Sequence, residues 1–283
     1  MKKVILLLTV LLATPAWAAK VKPAAPPPVT ANVHAQYEIY GGGFQLLDAD
    51  LDINVGAQKY DARLRARTDG FLGRVAPWSD DVHAAGNRGA REMQPVAYTS
   101  ANTWRGKERS VTLVYDGKGG FKSKFAVPAP EQENREEVAP ELTRNTMDLM
   151  SATLTLLQRV TQGESCNQTI AVYDGRRRFN LKFYEVQFER LPESHIGIFH
   201  GAARRCDMTI ERVAGFWKKF QTDWTEDGDA KMKLSFWLAP ITPNGPQIPV
   251  LARTYGAFET VFIHLVGGTA DGKNIKDLIN AAP

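Results

Sequence analysis

The residues able to do chemistry are few and scattered. Five histidines, His34, His83, His195, His200 and His264, occur without the H-E-x-x-H spacing that sets two imidazoles on one helical face. Asp80, Asp81 and His83 follow Trp78 closely enough to form a metal-binding loop, although a polar surface turn explains them equally well. His195, His200 and Cys206 can be drawn as a zinc set. Cys206 has a simpler use, because the chain has just two cysteines, Cys166 and Cys206, and such a pair in an exported protein reads as one disulfide. Redox chemistry would favour C-x-x-C instead. Closing a loop of about forty residues would stabilise the fold by roughly 4 kcal/mol in the chain-entropy account.

Basic residues cluster at Arg176, Arg177 and Arg178, at Arg204 and Arg205, and at Lys218 and Lys219. A Cys166–Cys206 bridge would bring the Arg204 pair towards the Arg176 run. The joined arginines would make a patch for phosphates or other anionic envelope polymers, the alternative being a solvated strand face. There is no G-x-S-x-G elbow, P-loop or G-x-G-x-x-G. Gly41, Gly42 and Gly43 lie between two strands with no helix behind them, which suits a turn or bulge and not a phosphate cradle. Nothing selects catalytic, cofactor-binding or metal-binding residues. The residues therefore favour a non-enzymatic protein without cofactors.

The elements that must carry these groups are mostly strands. Leu47, Ala49, Leu51, Ile53 and Val55 alternate with Asp48, Asp50 and Asp52. Tyr60, Ala62, Leu64 and Ala66 alternate with Asp61, Arg63, Arg65 and Arg67. Each pattern has one buried and one wet face, and pairing the two would set acids across from arginines. Strands are also expected over 203–213, 230–239, 248–255 and 257–266. Two hairpins echo each other, VYDGKGGFKSKF at 114–125 and VYDGRRRFNLKF at 172–183, both built on the Asp-Gly turn signal.

One segment has helical spacing, with Met147, Met150, Leu154, Leu157 and Val160 three and four residues apart. Thr146 can cap its start, Asp148 suits the positive end of the helix dipole, and Gly163 can end it. The acidic, Pro-rich stretch before it, VPAPEQENREEVAP, reads as a loop. A short helix is expected from Lys273 to Ile279.

The chain opens with Lys2 and Lys3, an apolar run from Val4 to Ala13 and an Ala16-x-Ala18 exit, the pattern of a signal peptide cleaved after Ala18. The run is shorter than the roughly 20 residues a membrane span needs. The expected organisation is signal peptide 1–18, Pro/Ala-rich linker 19–32, one β-rich domain 33–266 and a C-terminal tail 267–283, with periplasmic localisation and no transmembrane span in the mature chain. Net charge is +4, falling to +2 without Lys2 and Lys3, which is no nucleic-acid footprint.

The order of segments carries a resemblance. A Tyr-rich first strand runs into Gly-Gly, followed by RTDGFLGRV, PVAYTS, ERSVTLVYD, the MDLMSATLTLL helix, the YDGRRRF hairpin and late strands ending FETVFIHL. From about Val33 to Val266 this resembles the bacterial domain of unknown function family 3108. The resemblance implies an exported envelope protein with an incompletely closed β-barrel or spiral, similar to lipoprotein carriers and envelope-integrity proteins. It supplies no catalytic residues. The expected fold is mainly β, a large curved antiparallel sheet with one central amphipathic helix. The expected function is support of cell-envelope integrity, the concave face holding an apolar or acylated ligand or a partner protein. Lipid, lipoprotein or envelope protein are the candidate partners. The alternatives are an envelope hydrolase and a pure protein-interaction module.

Overall fold

In the computed structural model the described residues are 30–104, 106–218, 233–242, 245–255 and 260–281. The expected signal peptide, residues 19–29 of the linker, Lys219 and the first three residues of the strands expected over 230–239 and 257–266 lie outside them. The first half is a seven-strand antiparallel meander: β1 (Ala31–Gly41), β2 (Phe44–Val55), β3 (Lys59–Thr68), β4 (Trp78–Arg88), β5 (Met93–Trp104), β6 (Lys107–Tyr115) and β7 (Phe121–Val127). A short helix, α1 (Gly70–Val75), bridges β3 to β4. The register of β2 and β3 places Asp48 opposite Arg67, Asp50 opposite Arg65 and Asp52 opposite Arg63, so the acidic and arginine strands pair as their patterns required. Ion pairs then run diagonally, Arg65 to Asp52 and Arg63 to Asp81 of β4.

After the helix α2 (Leu149–Thr161) come β8 (Gln168–Tyr173), β9 (Arg178–Leu191), β10 (Gly201–Ala214), β11 (Leu234–Pro240), β12 (Gln247–Tyr255) and β13 (Thr260–Ala270). A two-residue β14 (Lys273–Asn274) and α3 (Ile275–Asn280) close the described chain. All strands join one antiparallel sheet, in the order β7-β6-β5-β4-β3-β2-β1-β13-β12-β11-β10-β9-β8, with β14 beside β13. The first and last strands of that path, β7 and β8, do not pair with each other. The sheet curls without closing. The expected tail is part of this body, since β13 runs to Ala270 and α3 buries Ile275 and Ile279. Among the described residues no helix is long and apolar enough to cross a membrane.

Helix α2 occupies the hollow of the curl, touching β4 and β5 on one side and β8 and β12 on the other. Met150, Leu154, Leu157 and Val160 are buried, as the spacing required, but so are Ser151, Thr155 and Gln158. These polar groups are satisfied individually. Thr155 Oγ1 accepts from Met93 N at 3.0 Å, and Gln158 donates to Gly89 O and accepts from Arg88 Nε. The cap is Asp148, not Thr146: Asp148 accepts from Ser151 N at 2.8 Å and Ser151 Oγ at 2.6 Å. Thr146 instead donates to the Thr143 carbonyl, closing the turn before the helix. Gly163 takes a φ of +85° just past the C-terminus, where a left-handed residue stops the helix.

The gap between β7 and β8 is filled by the segment that precedes α2. Met147 exchanges backbone hydrogen bonds with Ala171 and Tyr173 of β8, and Asn145 N donates to Gly119 O in the β6–β7 turn. Cys166 and Cys206 form the disulfide expected of the two cysteines, with Cα atoms 6.2 Å apart. It fastens the start of β8 across β9 to β10.

Candidate functional site

Strand alternation and register build a groove inside the curl. Leu51, Leu64, Val82, Ser100 and Val111 lie on one rung across β2, β3, β4, β5 and β6, each directly opposite its neighbour. Inward-facing positions on adjacent strands stack about 5 Å apart, so this rung makes a mostly apolar floor roughly 20 Å wide. Leu149, Met150 and Thr153 of the first turns of α2 form the opposing wall. Between them lies a cavity of about 600 Å³, within the range of small-molecule sites.

One end of this cavity is charged. The next rung brings Asp80, Asn102 and Arg109 side by side on β4, β5 and β6. Behind Arg109 sits Glu133, whose side chain is only 3% exposed. Three guanidinium groups converge on its carboxylate: Arg109, Arg135 at 2.9 Å and Arg176 at 3.0 Å. Arg135 stacks on Trp217 at 4.0 Å from the ring centroid, with Arg109 near the same ring at 5.9 Å. Arg177 completes the rim and is matched by Asp174.

Burial opposes ionisation of Glu133, but the guanidinium groups of Arg135, Arg109 and Arg176 outweigh it and hold its carboxyl below the ordinary value. Burial also presses Arg135 below the usual arginine value; Glu133 resists this, and the like charges of Arg177 and Arg109 reinforce it. Burial pushes the Asp80 carboxyl up, partly offset by the Ser100 hydroxyl that donates to it at 3.3 Å. The cluster around Glu133 thus holds two more guanidinium groups than carboxylates beside an apolar floor. An arrangement of that kind can hold an anionic or amphipathic molecule. Among the described lining residues there is no histidine or cysteine to serve as base or nucleophile.

Arg176 also holds the open side of the sheet together. Its Nη2 donates to the carbonyls of Ser110, Val127 and Pro128, joining the β8–β9 turn to β6 and to the end of β7. Arg178 turns away to Leu142 O and Asn180. Arg204 and Arg205 pair with Glu185 and Glu189. In the β9–β10 ladder Arg178 faces Ala214, whereas Arg204 faces Phe188, ten residues further along β9. At about 3.4 Å per residue that is roughly 34 Å, so the disulfide does not bring the two arginine groups together.

Asp80, Asp81 and His83 are on β4, not in a loop, and alternation sends Asp80 inward while Asp81 and His83 face out. Asp81 is held by Arg63 at 2.9 Å and His83 by Asp61 at 2.7 Å. Three side chains split between two faces cannot share an ion. The drawn zinc set is likewise absent, since Cys206 is in the disulfide while His195 and His200 lie between β9 and β10. Among the described residues no group of three His, Cys, Asp or Glu could hold a metal. Of the residues that converge, Arg176 belongs to the arginine patch expected from the sequence, whereas Arg109, Glu133 and Arg135, set on a strand, a 3-10 turn and the segment just after it, carry no local signal. The signals near them are the Arg176–Arg178 run and the repeated VYDG hairpin that holds it.

No curated protein matches the sequence. Among solved structures, a β-barrel-like protein of the DUF1849 family from Brucella abortus superposes with a TM-score of 0.49 at 11% identity, over 87% of this chain and 98% of that one. A candidate lipoprotein from Parabacteroides distasonis gives 0.30 at 8% identity, over 86% and 97%. A DUF1329 family protein from Desulfovibrio piger gives 0.20 at 10% identity, over 85% and 70%. The family model described as Protein of unknown function (DUF3108) matches residues 36–266, and the chain belongs to that family.

Proposed function

We propose that this is an exported, non-enzymatic protein of the cell envelope that holds an acylated ligand in the groove between α2 and the β2–β6 floor. The observation that carries the reading is the groove itself, a cavity of about 600 Å³ with a mostly apolar rung under the helix, Leu51, Leu64, Val82 and Val111 with Ser100 among them. Export is supported by the leader-like residues 1–18 and by the disulfide, which belongs to oxidising compartments. Envelope integrity is the role such a carrier or scaffold would serve.

The test is displacement of an uncharged apolar dye, N-phenyl-1-naphthylamine, by single-chain lipids, together with native mass spectrometry of protein recovered from the periplasm. Leu64→Trp places an indole in the floor and is expected to weaken dye binding about tenfold or more, which corresponds to about 1.4 kcal/mol. Equal dye binding by wild type and L64W, with a clean apo mass, would move the reading to the pure interaction module.

A further inference from the structure

We infer that the ligand of this groove is an anionic amphiphile whose charged headgroup is held at the Arg109 end, against the cluster of Arg109, Arg135 and Arg176. This rests on the groove reading and adds the headgroup chemistry to it.

Guanidinium groups are costly to gather in a half-buried place, and one carboxylate, Glu133, answers three of them. Arg177 is balanced locally by Asp174, and burial disfavours charge on Asp80 across the rung. A bound anion would relieve the excess.

Geometry then separates the arginines by task. Arg176 spends Nη2 on three carbonyls and Nε on Glu133. Arg135 spends Nε on Glu133 and Nη1 on Gly215 O. Both are structural supports that also set the local field. Arg109 also reaches Glu133, through Nη2, but is placed differently. Its side chain is a third exposed, it lines the cavity, and it stands at the end of the rung next to the apolar floor. A headgroup oxygen meeting Arg109 and Asn102 leaves the attached chain directed along Val111, Ser100, Val82 and Leu64. Guanidinium is suited to this because it presents several donors in a planar fork to phosphate or carboxylate oxygens.

The experiment compares decyl phosphate, decanol and inorganic phosphate on the full mature protein. The two chain compounds are followed by dye displacement and all three by calorimetry. Decyl phosphate is expected to bind at least about tenfold more tightly than decanol, as a charge-assisted hydrogen bond allows. The preference should shrink as ionic strength rises. Arg109→Ala should erase most of the preference of decyl phosphate over decanol, while Arg109→Lys should retain much of it. If R109A does not fold, the salt dependence in wild type decides.

Equal affinities for decyl phosphate and decanol would overturn the headgroup assignment and leave the apolar groove standing. Inorganic phosphate binding as tightly as decyl phosphate would also overturn it, by showing an anion site indifferent to the chain. Failure of every chain compound to displace the dye would overturn the groove reading, and this inference with it.

Discussion

The two echoing hairpins sit at opposite ends of the sheet path and face each other across the open side. In the first, β6–β7, Asp116 accepts from the N–H groups of Lys118 and Gly120, and the turn is small and glycine-rich. In the second, β8–β9, Asp174 accepts from the N–H groups of Arg176 and Arg177 in the same way. The backbone device is shared, an aspartate folding its own turn. What differs is the cargo. Where the first turn has Lys118, Gly119 and Gly120, the second has Arg176, Arg177 and Arg178. The glycines let Asn145 approach the first turn closely, while the arginines reach across the gap and bring charge to the groove. One turn scaffold therefore serves as a socket on one edge and as a clasp on the other.

The sharpest way to break this comparison is to remove the clasp. Arg176→Met leaves Glu133 short of a partner and strips the donor from the Val127, Pro128 and Ser110 carbonyls. Losing one member of a buried ion pair costs on the order of 3–5 kcal/mol. The counterpart Lys118→Met should change stability by no more than about 0.5 kcal/mol, because it alters a surface side chain. Chemical denaturation of both variants checks the contrast. Similar midpoints for the two would mean that the hairpins are equivalent after all.

A second contrast uses the turn glycines. Gly117 and Gly175 both have positive φ, +73° and +90°, so alanine at either is strained by about 1–2 kcal/mol. A methyl group at Gly117 meets open space, whereas at Gly175 it would run into Val111 of β6. Gly175→Ala is therefore expected to cost about 1–3 kcal/mol more than Gly117→Ala, through overpacking across the gap. Thermal melts of the pair measure the difference.

Much of the frame was legible in alternation alone. Asp48, Asp50 and Asp52 against Arg63, Arg65 and Arg67 announced a strand pair and its wet face, because period-two patterns leave only two choices of face, while the register came from the structure. Residues 78–88 were harder. The run WSDDVHAAGNR has small or polar residues on both faces, so Val82 and Ala84 did not stand out, and Asp80 to His83 looked like a loop. Gly86 and Pro95 face each other at a bulge, which tolerates proline within a strand. The charged end of the groove was legible only in part, through the Arg176–Arg178 run. Glu133 and Arg135 sit in a stretch whose acid and proline content reads as exposed loop, and nothing local reveals that Arg109 and Arg176 will neutralise that acid. Burial of a charge is decided by partners far away in sequence.

The smallest expected effect concerns the tyrosines that the two hairpins share. Tyr173 O–H donates to Gly175 O, and burial first, then nearby Asp174, raises its hydroxyl to about 12. Tyr115 O–H points instead at Asp148, the buried cap of α2, at 3.4 Å. Burial drives the Asp148 carboxyl above its ordinary value, with Ser151 and Tyr115 opposing. A carboxyl raised in the folded state contributes stability at pH below the unfolded value, about 3.9, and loses it as pH climbs through the folded value. Asp148→Asn keeps an oxygen for Ser151 N, since asparagine caps as well as aspartate, but it cannot ionise. It should match wild type near pH 4 and equal or exceed its stability at pH 7. Asp148→Ala should lose about 1 kcal/mol at both. Denaturation midpoints across that range decide the matter: a deficit for D148N that grows as pH rises would show that the ionised carboxylate is what α2 and the β6–β7 tyrosine require.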